Sequence, residues 1–496
     1  MPNKMVAPDR DPDGGGEAAL AHALVQVERT PADPRAWRDL ARCFLQSGRP
    51  AGSVEASKQA LRLDSQSGPA WTTFGLALRR THQHLAGRRA LEKAVSFSPH
   101  DAACWGNLAS AQEALGEVEA AINAARKAVE KAPDEAGWHA VLGTALRSAG
   151  RIPEALLAYT QAKRLSPDDP RIPWNRALAL LSAHDFAAGF EAYECRRKRV
   201  EHRPFPTPEW TQGPAPSGGL LVHCEQGFGD TLQWARFVPR LSAQTRRVVV
   251  AAPRRLHAML LRVGGVDAVI TKEDARKPDA LRCHDCAAHV GLMSLGALLG
   301  ERGPTLADDL PLWSPSASEV APYALRTGLR IGIGWQGNPA YERDHLRSPP
   351  LSAFTRVVDN ATARGVSVVS FQKVHGLGQL IDATGPLRKV LDLGAILDTG
   401  PEAFIDTAAA MSATDLVLTS DTATAHLAGS LPVETWLLLS RPADWRWGHL
   451  PESTPWYPRM RVFRQPTPGD WTGLFHNVDR ALSSWIGDRQ PESLES

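Results

Sequence analysis

A period of 34 residues constrains this chain more than any other feature. Trp37, Trp71 and Trp105 stand 34 residues apart, and Ala60, Ala94, Ala128 and Ala162 keep the same step. Pro99, Pro133 and Pro167 keep it too, as do Gly48, Gly116 and Gly150, with His82 in the remaining slot. Trp138 comes one place early, yet Leu142-Gly143 stays in phase with Leu108-Ala109. Self-similarity at this spacing marks a stack of like units, none of which can bury its apolar face alone. Within each unit apolar residues recur twice at helical spacing. In WGNLASAQEALGEVEAAINAARKAVEKAP (105–133) Gly116 ends a first helix, Glu119 to Val129 carry a second, and Pro133 stops it. Small Ala and Gly at the phase positions let helices approach, and Trp fills the space between units. The product expected is an array of helical pairs with a concave surface for an extended partner.

This pattern resembles the tetratricopeptide repeat (TPR). Four full units occupy 34–169, residues 17–33 read as a half unit, and 170–200 as a divergent fifth unit. In that fifth unit Trp174 lies 36 residues after Trp138, and FAAGFEAYECRRKR supplies the second helix. The repeated Trp, Leu and Ala residues pack, so none is a candidate site. The run Cys195-Arg-Arg-Lys-Arg199 would suit a nucleic-acid patch. It also suits the end of a last helix, where cations meet the negative pole of the helix dipole, and this is the simpler reading.

Composition limits the function classes. The 496 residues give a prior of about three domains. With 56 basic and 54 acidic residues the formal charge is +2, which argues against a large nucleic-acid footprint. No apolar run reaches the roughly 18 residues of a membrane span. MPNKMVAPDRDPDGGG lacks the apolar core of a signal peptide, so residues 1–16 are expected to be a disordered tail. Six scattered Cys suit a reducing compartment, and the expected location is cytoplasmic.

The array is expected over 17–202, followed by a Pro- and Gly-rich linker, RPFPTPEWTQGPAPSGG, at 203–219. Beyond it strands alternate with helices. Strands are expected at 220–223, 247–252 and 266–270, with helices at 231–241 and 253–263. A second run has strands at 330–335, 367–372, 390–392, 415–419 and 434–439, and a helix at 351–364. Such alternation implies two parallel, doubly wound halves, 220–315 and 328–485, divided by the Pro- and Ser-rich stretch 301–328. Ligands of open parallel sheets sit beyond the carboxyl ends of the strands.

Three loops there attract attention. HCEQGFGD (223–230) offers Gly227 and Gly229 for a tight strand-to-helix turn. Its Asp230 is placed either to cap the helix or to accept a proton from an attacking hydroxyl. SDTATAH (420–426) sets hydroxyls and a helix start where phosphate is welcome, and brings Asp421, Thr422 and His426 into one turn. QGNPAYERDHLR (336–347) carries Arg343 and Arg347, which are able to neutralise phosphate from the other side. Cys283-His-Asp-Cys286 with His289 has a CxxC but no second pair to complete a zinc site, and reads as a partly buried loop.

In their order, EQGFGDTLQWARFVPRL, IGIGWQGNPAYERDHLRS and LVLTSDTATAHLAGSL resemble the bacterial glycosyltransferases that include the ADP-heptose transferases. PADWRWGHLPESTPWYPRMRVFRQPTPGDW (442–471) looks like the tail of their repeat-bearing subgroup. The resemblance implies a TPR solenoid followed by a GT-B pair of Rossmann-like domains, an α plus α/β chain. It further implies an inverting, metal-independent transfer from a nucleotide-diphosphate sugar, with no other cofactor. Asp230 would be the base. Gly227, Gly229, Ser420, Asp421, Thr422, Ala423 and His426 would face the donor, with Arg343 or Arg347 on its diphosphate. The array would select the acceptor, a protein or peptide. The competing reading is a protein-binding scaffold whose transferase-like part is degenerate.

Overall fold

The structure is a computed structural model, and it describes residues 15–198, 205–303, 312–324, 328–341 and 343–490. Residues 1–14 of the expected tail, Arg199, residues 203–204 of the linker and parts of 301–328 lie outside the described residues. The chain forms two compact units that part between Ala179 and Leu180.

The first unit is a run of helices: α1 (Gly15–Arg29), α2 (Pro34–Gln46), α3 (Pro50–Leu63), α4 (Gly68–Arg80), α5 (His84–Phe97), α6 (Ala102–Ala114), α7 (Val118–Lys131), α8 (Ala136–Ser148), α9 (Ile152–Leu165) and the start of α10 (Arg171–Ser182). Residues 15 and 16, expected in the tail, already belong to α1. Asp33, Ser67 and Asp101 cap α2, α4 and α6 by accepting the amide hydrogens of Arg35, Ala70 and Ala103. The phase alanines Ala60, Ala94, Ala128 and Ala162 have no exposed surface, so each is a point of closest helix approach.

The turn between paired helices explains the glycine column. Gly48, Gly116 and Gly150 have φ of 70°, 76° and 78°, and His82 holds 61° in the same slot. A side chain in this left-handed region is crowded against its own carbonyl, which is why glycine recurs there. One further step of 34 reaches His184, whose φ is 60°. The divergent fifth unit therefore keeps phase.

The tryptophan column also has a shared task. The indole N–H groups of Trp37, Trp71 and Trp105 donate to the carbonyls of Pro31, Ser65 and Pro99, each six residues back, at 2.8 Å. In the fourth unit His139, in phase, replaces the indole with an Nε2 contact to Pro133 O at 2.7 Å. Trp138 is thus no displaced member of the column; its ring covers Gly106, where any Cβ would collide with it. The first helices α2, α4, α6 and α8 touch in succession, whereas contacts between successive second helices are sparse.

The second unit opens with the end of α10, α11 (Phe186–Tyr193) and a tight turn at 194–198. Two wholly parallel sheets follow. The first contains β1 (Gly219–His223), β2 (Arg247–Ala252), β3 (Ala268–Thr271) and β4 (Cys286–Gly291), in the order β3-β2-β1-β4. The second contains β5 (Arg330–Gly334), β6 (Ser367–Ser370), β7 (Leu391–Asp392), β8 (Leu416–Ser420), β9 (Glu434–Leu439) and β10 (Met460–Arg464), in the order β10-β9-β8-β5-β6-β7. Four helices matter below: α12 (Phe228–Trp234), α13 (Thr355–Ala363), α14 (Ala423–Gly429) and α15 (Trp471–Arg489). Ile331, Ile333, Leu416, Leu418, Trp436 and Leu438 alternate along their strands onto one face of the second sheet. That face packs on Phe354 and on Val357 of α13, and on Leu474, Val478 and Leu482 of α15.

Several local expectations need correction. The helix expected over 231–241 begins at Phe228 and breaks into three short pieces, and that over 253–263 shrinks to 254–260. Cys286 to His289 is not a loop: it forms β4 and pairs with β1. Its polar His289 disguises it, since the imidazole Nδ1 contacts the Thr207 carbonyl at 2.8 Å. The basic run is not a patch: its described residues 195–198 close the helical stretch that follows α11, as expected, but two of its arginines are held in ion pairs. Arg196 is 2% exposed and donates to Glu225 at 3.0 Å and Ser294 Oγ at 2.7 Å, while Arg197 pairs with Glu209 at 2.6 Å. The buried carboxylate of Glu225 draws Arg196 inward.

Candidate functional site

Each sheet reverses its strand order once, between β1 and β4 in the first and between β5 and β8 in the second. Beside such a reversal two loops leave in opposite directions, and a crevice opens beyond the strand ends. The residues singled out in the three loops lie at these carboxyl ends. Gly227, Gly229 and Asp230 follow β1, Arg343 and Arg347 follow β5, and Ser420 ends β8 with Asp421 to His426 after it.

In the first sheet the reversal is filled by protein. Glu225 accepts from Arg196 and from the Met293 amide at 3.0 Å. Burial acts against its charge, but Arg196 holds the carboxyl below its usual range. Above it α11 packs aromatic rings on both halves of the unit. Phe190 meets Trp234 at 5.2 Å and Phe237 at 5.8 Å, Tyr193 meets Trp445 at 5.9 Å, and Phe186 meets Trp456 at 5.5 Å.

Asp230 lies in the first turn of α12, where Gly227 N–H donates to its Oδ2 at 3.0 Å. Its Oδ1 accepts from Arg446 Nη2. Arg446 also donates to Asp444 at 2.9 Å and to Gln233 Oε1 at 2.8 Å, and lies 4.4 Å over the Trp445 ring. Burial opposes its charge, and the Asp230 and Asp444 carboxylates more than restore it. Both oxygens of Asp230 are therefore engaged, one as a helix cap and one in an ion pair.

The β8 loop is spent in a similar way. Ser420 Oγ donates to the Trp335 carbonyl at 3.0 Å and so fastens β8 to β5. Thr422 is extended, with φ −138°, at the entry to α14. His426 is 4% exposed; its Nδ1 meets the Tyr457 hydroxyl at 2.8 Å and its ring stacks on Trp447 at 5.1 Å. Burial, then the Arg446, Arg236 and Arg347 guanidinium groups, holds this imidazole well below its usual range, so it is neutral at pH 7. Burial raises Asp421, Arg347 opposes that rise, and Asp444 adds to it.

Arg347 lies 4.3 Å over the Tyr341 ring, and its Nε donates to Asp344 at 3.0 Å. Gly337 makes room for it, since a Cβ there would lie 2.6 Å from Arg347 Nη2. Tyr341 is pushed up to about 12 by burial and by the Asp444 carboxylate. Arg343 directly precedes the helical turn 344–347. The two halves touch where α12 and α14 begin. A Cβ on Gly229 would lie 3.0 Å from the His426 ring and 3.4 Å from Ala423 Cα.

The structure thus gathers Asp230, Asp421, Arg347 and His426 around one seam. It adds Arg446, Asp444, Tyr341, Trp447 and Tyr457, which sequence reasoning missed. The signal for Arg446 and Trp447 was the WRWGHL stretch, where an Arg stands between two Trp. Among the described residues no three His, Cys, Asp or Glu side chains are grouped to hold a metal ion, and no helix is long and apolar enough to cross a membrane.

Comparison with known proteins supports the repeats directly. Tetratricopeptide repeat descriptions match residues 16–68, 79–144 and 140–194, so the N-terminal region is a TPR solenoid. Protein FlbA of Caulobacter vibrioides is 24% identical over 512 residues, covering 96% of this chain and 79% of that one. Among solved structures, a thermophilic TPR protein of Thermus thermophilus is 24% identical, with 34% of this chain and 92% of that one covered and a TM-score of 0.31. Pseudomonas aeruginosa pilF is 16% identical, covers 36% of this chain and 80% of its own, and has a TM-score of 0.32. Behind this solenoid the chain carries a region of parallel sheets.

Proposed function

We propose that this protein docks a polypeptide on its TPR array and that its α/β unit is a transferase-like body held shut. The contact of α12 with α14 at Gly229 carries this reading. A nucleotide diphosphate at the β8 loop would need the amino end of α14, and backbone and imidazole of the protein's own chain abut there. The cations beside it are committed as well, Arg446 to Asp230 and Asp444, and Arg347 to Asp344. Thermal denaturation of the full chain with ADP-, GDP- and UDP-sugars tests it. No stabilisation by any of them is expected. A stabilisation lost in Arg347→Ala would overturn the closed reading.

A second reading is favoured by the strand order. Counted from β5, the second sheet runs 3-2-1-4-5-6, and the conspicuous loops flank its reversal, where doubly wound sheets take nucleotides. Here the paired α/β halves act as a GT-B glycosyltransferase on a polypeptide acceptor brought by the array. Arg446 would release Asp230, which removes the acceptor's proton as its oxygen attacks the anomeric carbon. Arg343, Arg347 and the Thr422–Ala423 backbone would receive the departing diphosphate. Donor hydrolysis or transfer that disappears in Asp230→Ala would establish this reading, and turnover unchanged in that variant would remove Asp230 from it.

A further inference from the structure

The sparse contact between successive second helices leaves a valley of about 880 Å³ between α3 and α5, floored by α4. Its floor is apolar: Trp71, Phe74 and Leu78 follow one another at helical spacing along α4, with Val54 and Ala90 beside them. Its rim is basic. Lys58, Arg89 and Lys93 line it against a single carboxylate, Glu55, which Lys58 already holds at 2.7 Å. Lys93 lies 4.7 Å over the Trp71 ring, and neither it nor Arg89 has a carboxylate partner among the described residues. Leu85 stands at the rim with 59% of its surface exposed.

The neighbouring valleys differ at the same phase positions. One step of 34 onward, Lys58 becomes Glu92, Leu85 becomes Glu119 and Arg89 becomes Asn123. The cations there are also closed by acids: Arg88 pairs with Glu92 at 2.5 Å and lies 3.5 Å from Glu117, and Lys127 pairs with Glu130 at 2.8 Å. A second step replaces Trp71 by His139 and Lys93 by Gln161. Among the described residues of these three valleys, apolar floor and unanswered positive charge coincide only between α3 and α5. We infer that this valley, on the side of the second helices rather than along the row of first helices, is the docking site for an acidic partner segment with bulky apolar side chains. Apolar side chains would cover Trp71, Phe74 and Leu85, and carboxylates would meet Arg89 and Lys93.

This inference rests on the polypeptide-docking reading, and its test separates the two. The full-length protein is presented to an array of synthetic peptides in which acidic, basic and apolar content vary independently. Peptides joining Asp or Glu to Leu, Phe or Trp should be retained most, and less as salt is raised. The double variant Arg89→Glu/Lys93→Glu should lose at least about tenfold in affinity for the best of them, and Leu85→Lys should weaken them too. An unchanged melting curve of these variants confirms that folding is intact. Hydrogen exchange with the best peptide should show protection on α3, α4 and α5. Retention indifferent to charge, or unaltered in the variants, overturns the inference. Protection confined to α2, α6 and α8 also overturns it while leaving the docking reading standing. A concentration-dependent dimer that Leu85→Lys dissociates would give the valley to a second copy and overturn the acidic partner. No retention of any peptide removes both.

Discussion

The turn glycines of the array and the seam glycines of the α/β unit serve different purposes. In the array Gly48 serves the turn: its φ is 70°, and a Cβ there would meet nothing within 4 Å. In the α/β unit Gly229 and Gly337 serve nearness, because His426 and Arg347 lie where a side chain would begin. The first use is a backbone requirement that recurs every 34 residues. The second is set once, by neighbours that the fold brings against each glycine. The array accordingly settles its structure through local repetition. The α/β unit settles its own through pairs such as Asp230 with Arg446 and Arg236 with Trp456, each more than two hundred residues apart.

The sharpest way to break this contrast is Arg446→Ala. It leaves Asp230 and Asp444 partly buried without their cation, at a cost of about 3–5 kcal/mol to the α/β unit. Chemical denaturation should show that loss in one transition while the helical signal of the array holds its midpoint. Ala128→Leu is the converse. Extra bulk at a fully buried helix contact should cost the array about 1–3 kcal/mol and spare the α/β transition.

Acid distinguishes the units next. Glu225 has its pKa lowered in the folded state by Arg196, so its contribution is complete above the unfolded value of about 4.3 and is lost as pH falls through the folded value. The α/β transition should weaken below about pH 4, by about 1.4 kcal/mol for each pH unit separating the two values. Glu225→Gln should flatten that dependence in pH-dependent urea melts. The smallest effect is a gain. His82→Gly removes a side chain from a left-handed position and should stabilise the array by up to about 1 kcal/mol, read as a raised melting temperature.

The sequence disclosed what repeats or alternates. The array, its turns and its phase alanines were legible because each answers a need that returns in every unit. The strands β2 and β9 were found to the residue, since Arg247–Ala252 and Glu434–Leu439 are apolar and bounded by turns. The strand β4 was missed because His289 breaks its apolar run, and β10 because arginines flank its buried valine and phenylalanine. At the seam the loops were located by motif. Their chemistry was not legible, because the partners that occupy Asp230 and His426 arrive from the stretch 444–457 and carry no spacing relation to them. His139 shows the same limit within the repeat, where an imidazole takes over an indole's bond.

The aromatic cover formed by α11 has a practical bearing on dissection of the molecule. Pro-rich residues 203–219 invite a cut, yet a fragment starting there would lose Phe186, Phe190, Tyr193 and Arg196 together. It would lay Trp234 and Trp456 open to water and strand the Glu225 charge. An autonomous C-terminal piece should instead begin near Leu180, and its solubility when expressed alone would depend on those few residues.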